Sequence, residues 1–179
     1  RVLGARMADL DPLRHLPVPA LPELELSTYG LSEADLNTKF KVGSLNMPAA
    51  EATLGEILAF LKATYCGSIG LEYMHIVNSP QKRWVQKYFE TRQSQPKLDN
   101  AQKKRILKQI TAAETLEKYL HTKYVGQKRF SLEGGESTIA AMDELIQRAG
   151  QQGVHEMVIG MAHRGRLNVL VNTLGKEPK

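Results

Sequence analysis

A histidine and two arginines sit within four residues of each other in His163-Arg164-Gly165-Arg166. A neutral imidazole can take or give a proton near neutral pH and can hydrogen-bond a developing oxyanion. The neighbouring guanidinium adds a permanent charge whose planar fork suits phosphate or carboxylate. Gly165 lets backbone approach closely. Arg166 could do as Arg164 does, cap a neighbouring helix or form a structural ion pair. The opposing reading is an ordinary solvated loop. Position sets the ligand reading level with it, because His155 to Met161 has the look of a buried strand and Leu167, Leu170, Val171 and Leu174 follow at helical spacing. Ligands of open α/β sheets bind outside the carboxyl ends of strands, where a helix start already favours anions.

A second candidate is Ser131-Leu132-Glu133-Gly134-Gly135-Glu136. Paired glycines before a helix can cradle an anion, but flanking glutamates repel phosphate, and the spacing is that of no nucleotide-binding loop. A helix start with acidic residues is the better reading, with Glu133 placed to position a nearby arginine. His75 and His155 lie beside apolar runs and read as packed or edge residues, while His15 and His121 read as surface. No histidine pair has metal-ligand spacing, and the single Cys66 has no companion. The stripe Trp84, Val85, Tyr88 and Phe89 reads as core or interface rather than as a stacking platform.

The elements that must position these groups follow from punctuation and period. Pro12, Pro17, Pro19 and Pro22 exclude a long helix in residues 1–30, which read as an extended strap. Ser32 with Glu33 and Asp35 starts a short helix over 32–40, and residues 43–49 are loop. A helix runs from Thr53 with Leu54, Ile57, Leu58, Leu61 and Tyr65 on one face, and Gly67 and Gly70 end it. Ile69 to Ile76 is a strand or extended segment, and Ser79-Pro80 opens another helix. Asp99 or Asn100 caps a helix running towards Tyr124, with a possible division near Thr111. Ile139, Met142, Leu145, Ile146 and Ala149 mark one helix face, closed by Gly150 and Gly153.

The chain has 179 residues, 42% hydrophobic and 24% charged, enough for one core with a helical appendage. No apolar run is long enough to span a bilayer, and one cysteine suits a reducing compartment. Residues 81–130 carry thirteen Lys and Arg against four Asp and Glu, a net +9, leaving −4 for the rest of a chain of net charge +5. Those bases are interleaved with Ile106, Leu107 and Ile110 as on an amphipathic helix, which favours a solvated face over nucleic-acid binding. With a start at Arg1 and a stop at Lys179, the chain reads as a piece of something larger.

Longer motifs add a resemblance. Lys128-Arg129-Phe130-Ser131-Leu132-Glu133-Gly134-Gly135-Glu136, then Gly160-Met161-Ala162-His163-Arg164-Gly165-Arg166-Leu167-Asn168-Val169-Leu170, resemble the 2-oxoglutarate dehydrogenase family, within it the thiamine-diphosphate-dependent decarboxylating component. Thr64-Tyr65-Cys66-Gly67-Ser68-Ile69-Gly70-Leu71-Glu72-Tyr73-Met74-His75-Ile76 and Lys82-Arg83-Trp84 match as well. The likeness extends from about Leu54 onward, with weaker agreement around Asp9 to Leu13. It implies a mostly α-helical N-terminal domain followed by the helix–strand–helix start of an α/β thiamine-diphosphate-binding domain. The implied boundaries are a Pro-rich strap and short helix in 1–50, helical residues 51–125, and a truncated diphosphate-binding unit in 126–179.

The resemblance further implies oxidative decarboxylation of 2-oxoglutarate in the tricarboxylic acid cycle, with the succinyl group passed to a lipoyl group. His163 would be the active-site histidine and Arg164 the thiamine diphosphate contact. The family's Gly-Asp-Gly…Asn grip on Mg2+ and diphosphate, and the glutamate that activates the cofactor, are not in these residues, so the fragment alone is expected to be inactive. Implied partners are the lipoyl-bearing dihydrolipoyl succinyltransferase, dihydrolipoyl dehydrogenase and a second copy in a homodimer, in bacterial cytoplasm in preference to a mitochondrial matrix. Alternatives are a non-catalytic helical assembly module and a dehydrogenase for another 2-oxo acid such as 2-oxoadipate.

Overall fold

The computed structural model describes residues 1–13, 15 and 17–177. Residues 14 and 16 of the expected strap, and 178 and 179 of the last expected unit, lie outside the described residues. The chain divides into two compact units, Arg1–Lys97 and Leu98–Lys179.

The first unit opens with short 3-10 turns at Gly4–Met7, Pro22–Leu24 and Leu26–Tyr29, as prolines that forbid a long helix require. This segment is held against the end of the first long helix. The Asp9 amide donates to the Gly67 carbonyl at 3.0 Å, and Gly4 lies so close to Tyr65 that an added Cβ would stand 2.9 Å from the Tyr65 Cβ. The helix expected over 32–40 is a 3-10 turn, Glu33–Asn37, whose start is closed by the Ser32 amide donating to Asp35 at 2.8 Å. It gives way to β1 (Lys39–Lys41), which pairs antiparallel with β2 (Glu51–Thr53) through Phe40 opposite Ala52.

Helix α1 (Leu54–Tyr65) starts in a reciprocal cap: Thr53 Oγ1 accepts from the Glu56 amide, and the Glu56 carboxylate accepts from the Thr53 amide. Helix α2 (Ser79–Glu90) is capped by Asn78 rather than Ser79, the Asn78 side chain accepting from the Gln81 amide at 3.0 Å. The core gathers Tyr65, Leu71 and Tyr73, with Leu61, Val85 and Phe89 packed against it. Residues 69–76 form no strand; Leu71 and Tyr73 are buried from an irregular segment.

At the heart of this unit lies the fully buried carboxylate of Glu90. Its Oε1 accepts from Arg1 Nε at 2.7 Å and from the Tyr65 hydroxyl at 2.8 Å, while Oε2 accepts from the Asn46 amide and side chain at 2.8 and 2.7 Å. A buried charge is tolerable only with such complete partnering. Trp84, read as core or interface, is 67% exposed and stacks on Tyr88 at 5.5 Å, so it is not core.

In the second unit, α3 (Asn100–Lys123) is capped by Asp99 and runs unbroken through Thr111, because no glycine or proline interrupts it. Helix α4 (Ser137–Gln151) packs on α3, and Gly153, at φ +84°, turns the chain away from it. The unit's core is Ala113, Leu132, Ile139 and Val169, with Met142 against it. The strand expected at 155–161 does not form. These residues have no regular structure, and Val158 is 98% exposed. A strand exists only through a neighbour's hydrogen bonds, and among the described residues the sole sheet is the β1–β2 pair. The chain then enters α5 (Arg166–Asn168) and a π-helical stretch, Val169–Thr173.

Candidate functional site

The turn before α5 is built by backbone. Gly165 caps α5 in the left-handed conformation, at φ +74°, which L side chains rarely adopt. Its amide donates to the Phe130 carbonyl at 2.8 Å, so the turn is tied to the segment 129–133. One residue on, the Ser131 carbonyl accepts from an Arg164 terminal nitrogen at 3.0 Å. The His163 ring lies against the Phe130 ring, centroids 4.0 Å apart and planes inclined at 49°. His163, Arg164 and Arg166 are all exposed, while Gly165 and Asn168 beside them are buried. The structure therefore brings the predicted histidine and arginine together, both exposed, on a pinned turn.

Two residues that sequence reasoning passed over hold this arrangement. Glu117 is 2% exposed on α3. Its Oε1 accepts from the Leu132 amide at 3.0 Å and from the Asn168 side-chain nitrogen at 3.1 Å. Its Oε2 accepts from Arg129 Nε at 3.3 Å, and Arg129 also reaches Glu133 at 3.1 Å. Glu133 thus positions an arginine, as its spacing suggested. Fully buried Asn168 donates to the Ala113 carbonyl at 2.9 Å as well, and its oxygen accepts from Asn172 at 2.7 Å. A signal for Glu117 existed: it stands four residues after Ala113 on the apolar face of α3, where an unpaired carboxylate would be costly.

The paired-glycine turn binds an anion of its own. The Gly134 amide donates to the Glu136 carboxylate at 3.0 Å, which occupies the donor that a foreign anion would need. The remaining histidines lie apart from the turn in the sequence. His15, His121, His75 and His155 are all exposed, the last two rather than packed. Among the described residues no cluster of three His, Cys, Asp or Glu could hold a metal ion, and no helix is long and apolar enough to cross a membrane.

No family model matches the chain. Named proteins do. The chain is 58% identical over 178 residues to the 2-oxoglutarate dehydrogenase E1 component of Cupriavidus necator (strain H16). It is 50% identical over 179 residues to that of Azotobacter vinelandii and 44% identical over 181 to that of Haemophilus influenzae. These alignments take in 99 to 100% of this chain but 19% of each relative. Along nearly its whole length the chain is similar to 2-oxoglutarate dehydrogenase E1 components, and it spans about a fifth of the length of the relatives it matches.

Proposed function

We propose that this chain is a section of a thiamine-diphosphate-dependent 2-oxoglutarate dehydrogenase and supplies one wall of its active site. The observation that carries the reading is the pinned turn, which presents an imidazole and a guanidinium side by side from backbone bonds to Phe130 and Ser131. When bound, thiamine diphosphate supplies the carbon nucleophile that adds to the keto carbon of 2-oxoglutarate and accepts the electrons left as carbon dioxide departs. The donor set fits such a group. Arg164 spends one nitrogen on the Ser131 carbonyl and keeps its other donors for diphosphate or carboxylate oxygen.

His163, lying against the Phe130 ring, presents an imidazole that can exchange a proton with the substrate keto oxygen as charge develops there. The Mg2+ ligands belong, on this reading, to the part of the enzyme beyond this stretch. Residues 155–161 find their neighbouring strands there too, as the first strand of the α/β diphosphate-binding domain. The whole enzyme works as a homodimer in the bacterial cytoplasm and hands its succinyl group to the lipoyl-bearing dihydrolipoyl succinyltransferase, which dihydrolipoyl dehydrogenase reoxidises. This section alone turns nothing over. The test is His163→Ala in the full-length enzyme with 2-oxoglutarate and an artificial electron acceptor. A decarboxylation rate near wild type would sink the reading.

A further inference from the structure

Among the described residues of the second unit Glu117 is the one buried carboxylate, and it is remote in sequence from everything it binds. A single oxygen, Oε1, accepts from Leu132 at 3.0 Å and from Asn168 at 3.1 Å. Leu132 follows the two carbonyls that hold the active turn, Phe130 to Gly165 and Ser131 to Arg164. Asn168 lies at the other end of the same turn, in α5. The carboxylate therefore clamps both sides of His163-Arg164: the platform beneath it and the helix after it. Its second oxygen faces Arg129, which is only 17% exposed and balances the buried charge. An apolar residue at 117 would leave the Leu132 amide and the Asn168 amide group short of acceptors at a buried position.

We infer that Glu117 is a positioning residue of the active site, setting through Leu132 and Asn168 where the His163 imidazole and the Arg164 guanidinium stand. The inference rests on the proposed function, since it takes the 163–166 turn as part of that site. Packing alone would be served by any side chain of this volume; the particular donors gathered here require an acceptor and a negative charge. Glu117→Gln separates the two. It keeps the volume, but its single acceptor oxygen cannot serve both Arg129 and the Leu132 and Asn168 donors; with that oxygen turned to Arg129, an amide nitrogen faces the two donors of the clamp.

The turn can be read directly. In this chain of 179 residues and five histidines, ring currents from Phe130 at 4.0 Å displace the His163 imidazole proton resonances, and the bond to Phe130 slows exchange of the Gly165 amide. In Glu117→Gln we expect the His163 ring protons to lose most of that displacement and the Gly165 amide to exchange at least tenfold faster, with the circular dichroism of the helices retained. In the full-length enzyme the same substitution should weaken thiamine diphosphate binding about tenfold, and should weaken it little further when Arg164→Ala is already present. Should Glu117→Gln not fold, Asn168→Ala cuts the clamp on one side only and should give the same pattern. Unchanged His163 and Gly165 signals would overturn the inference, as would strictly additive effects of positions 117 and 164 on cofactor binding. If the turn moves in the spectra while Arg164→Ala leaves cofactor binding untouched, the proposed function is what fails, and the catalytic meaning of Glu117 falls with it.

Discussion

Leu132 occupies the space that a side chain on Gly165 would need: a Cβ built on Gly165 stands 2.6 Å from Leu132 Cδ1 and 3.4 Å from Leu132 Cβ. Leu132 is itself in the core with Ala113, Ile139 and Val169 and cannot swing aside freely. Close packing and a left-handed backbone thus coincide at the residue that ends the His163-Arg164 turn.

Gly165→Ala should therefore be costly twice over. The left-handed conformation costs an alanine about 1–2 kcal/mol and overpacking about 1–3 kcal/mol more. A loss of about 2–5 kcal/mol in urea unfolding is expected, whereas Gly150→Ala, which meets nothing within 4 Å and lies inside α4, should gain about 0.5–1 kcal/mol because alanine is the better helix former. Equal effects at the two glycines would refute the account.

Arg164→Ala should separate affinity from folding. The side chain is exposed and its bond to the Ser131 carbonyl is a surface contact, so unfolding of the chain should change by less than about 0.5 kcal/mol. Thiamine diphosphate binding to the full-length enzyme should weaken by about 2–3 kcal/mol if Arg164 pairs with an anionic oxygen. Calorimetric titration of the cofactor checks both halves against the unfolding curve.

Much of this was legible where the physics is local. Caps at Thr53 and Asp99, proline at Ser79-Pro80 and the spacing of Ile139, Met142 and Ile146 are written within a few residues, and α1 to α4 follow them. The turn at His163-Arg164 was readable for the same reason. What failed is what depends on partners distant in sequence. His155 to Met161 carries a strand's composition, yet a strand needs hydrogen-bonding neighbours, and among the described residues it has none. Glu90 looks like an ordinary helix-surface acid, and Glu117 is marked only by its place on the apolar face of α3, until the fold places Tyr65 and Asn46, or Leu132 and Asn168, over them.

Tyr65→Phe tests how tightly the first unit's polar centre is wired. The Tyr65 hydroxyl donates to Glu90 at 2.8 Å and lies 3.0 Å from the Tyr73 hydroxyl, all three groups buried. Burial, with the Tyr73 and Glu90 contacts, drives the Tyr65 phenol far above its ordinary pKa of 10.0, so it stays a donor at any physiological pH. Removing the oxygen should cost about 1.5–3 kcal/mol, the range for a bond to a charged group, while the ring keeps its packing. A loss below about 0.5 kcal/mol in thermal or urea unfolding would show the carboxylate satisfied without it.

Glu90 gives the chain a defined response to acid. Burial pushes its carboxyl up, but bonds from Arg1, Asn46 and Tyr65 outweigh burial and hold it below its ordinary value of 4.5. A group whose pKa is depressed by folding stabilises the fold above its unfolded pKa and loses that contribution as pH falls through the folded value. The Glu90 contribution should thus be constant near neutrality and decline only below about pH 4.5. Glu90→Gln should lower stability at neutral pH by about 3 kcal/mol, the lower end for breaking a buried pair, since Arg1 remains 21% exposed and can turn to water. The variant should also lose part of the wild-type decline in acid, so the two urea midpoints, followed from about pH 7 to about pH 3, should converge as the medium becomes more acidic. Midpoints that stay parallel throughout would mean that the Glu90 carboxylate is not what acid removes.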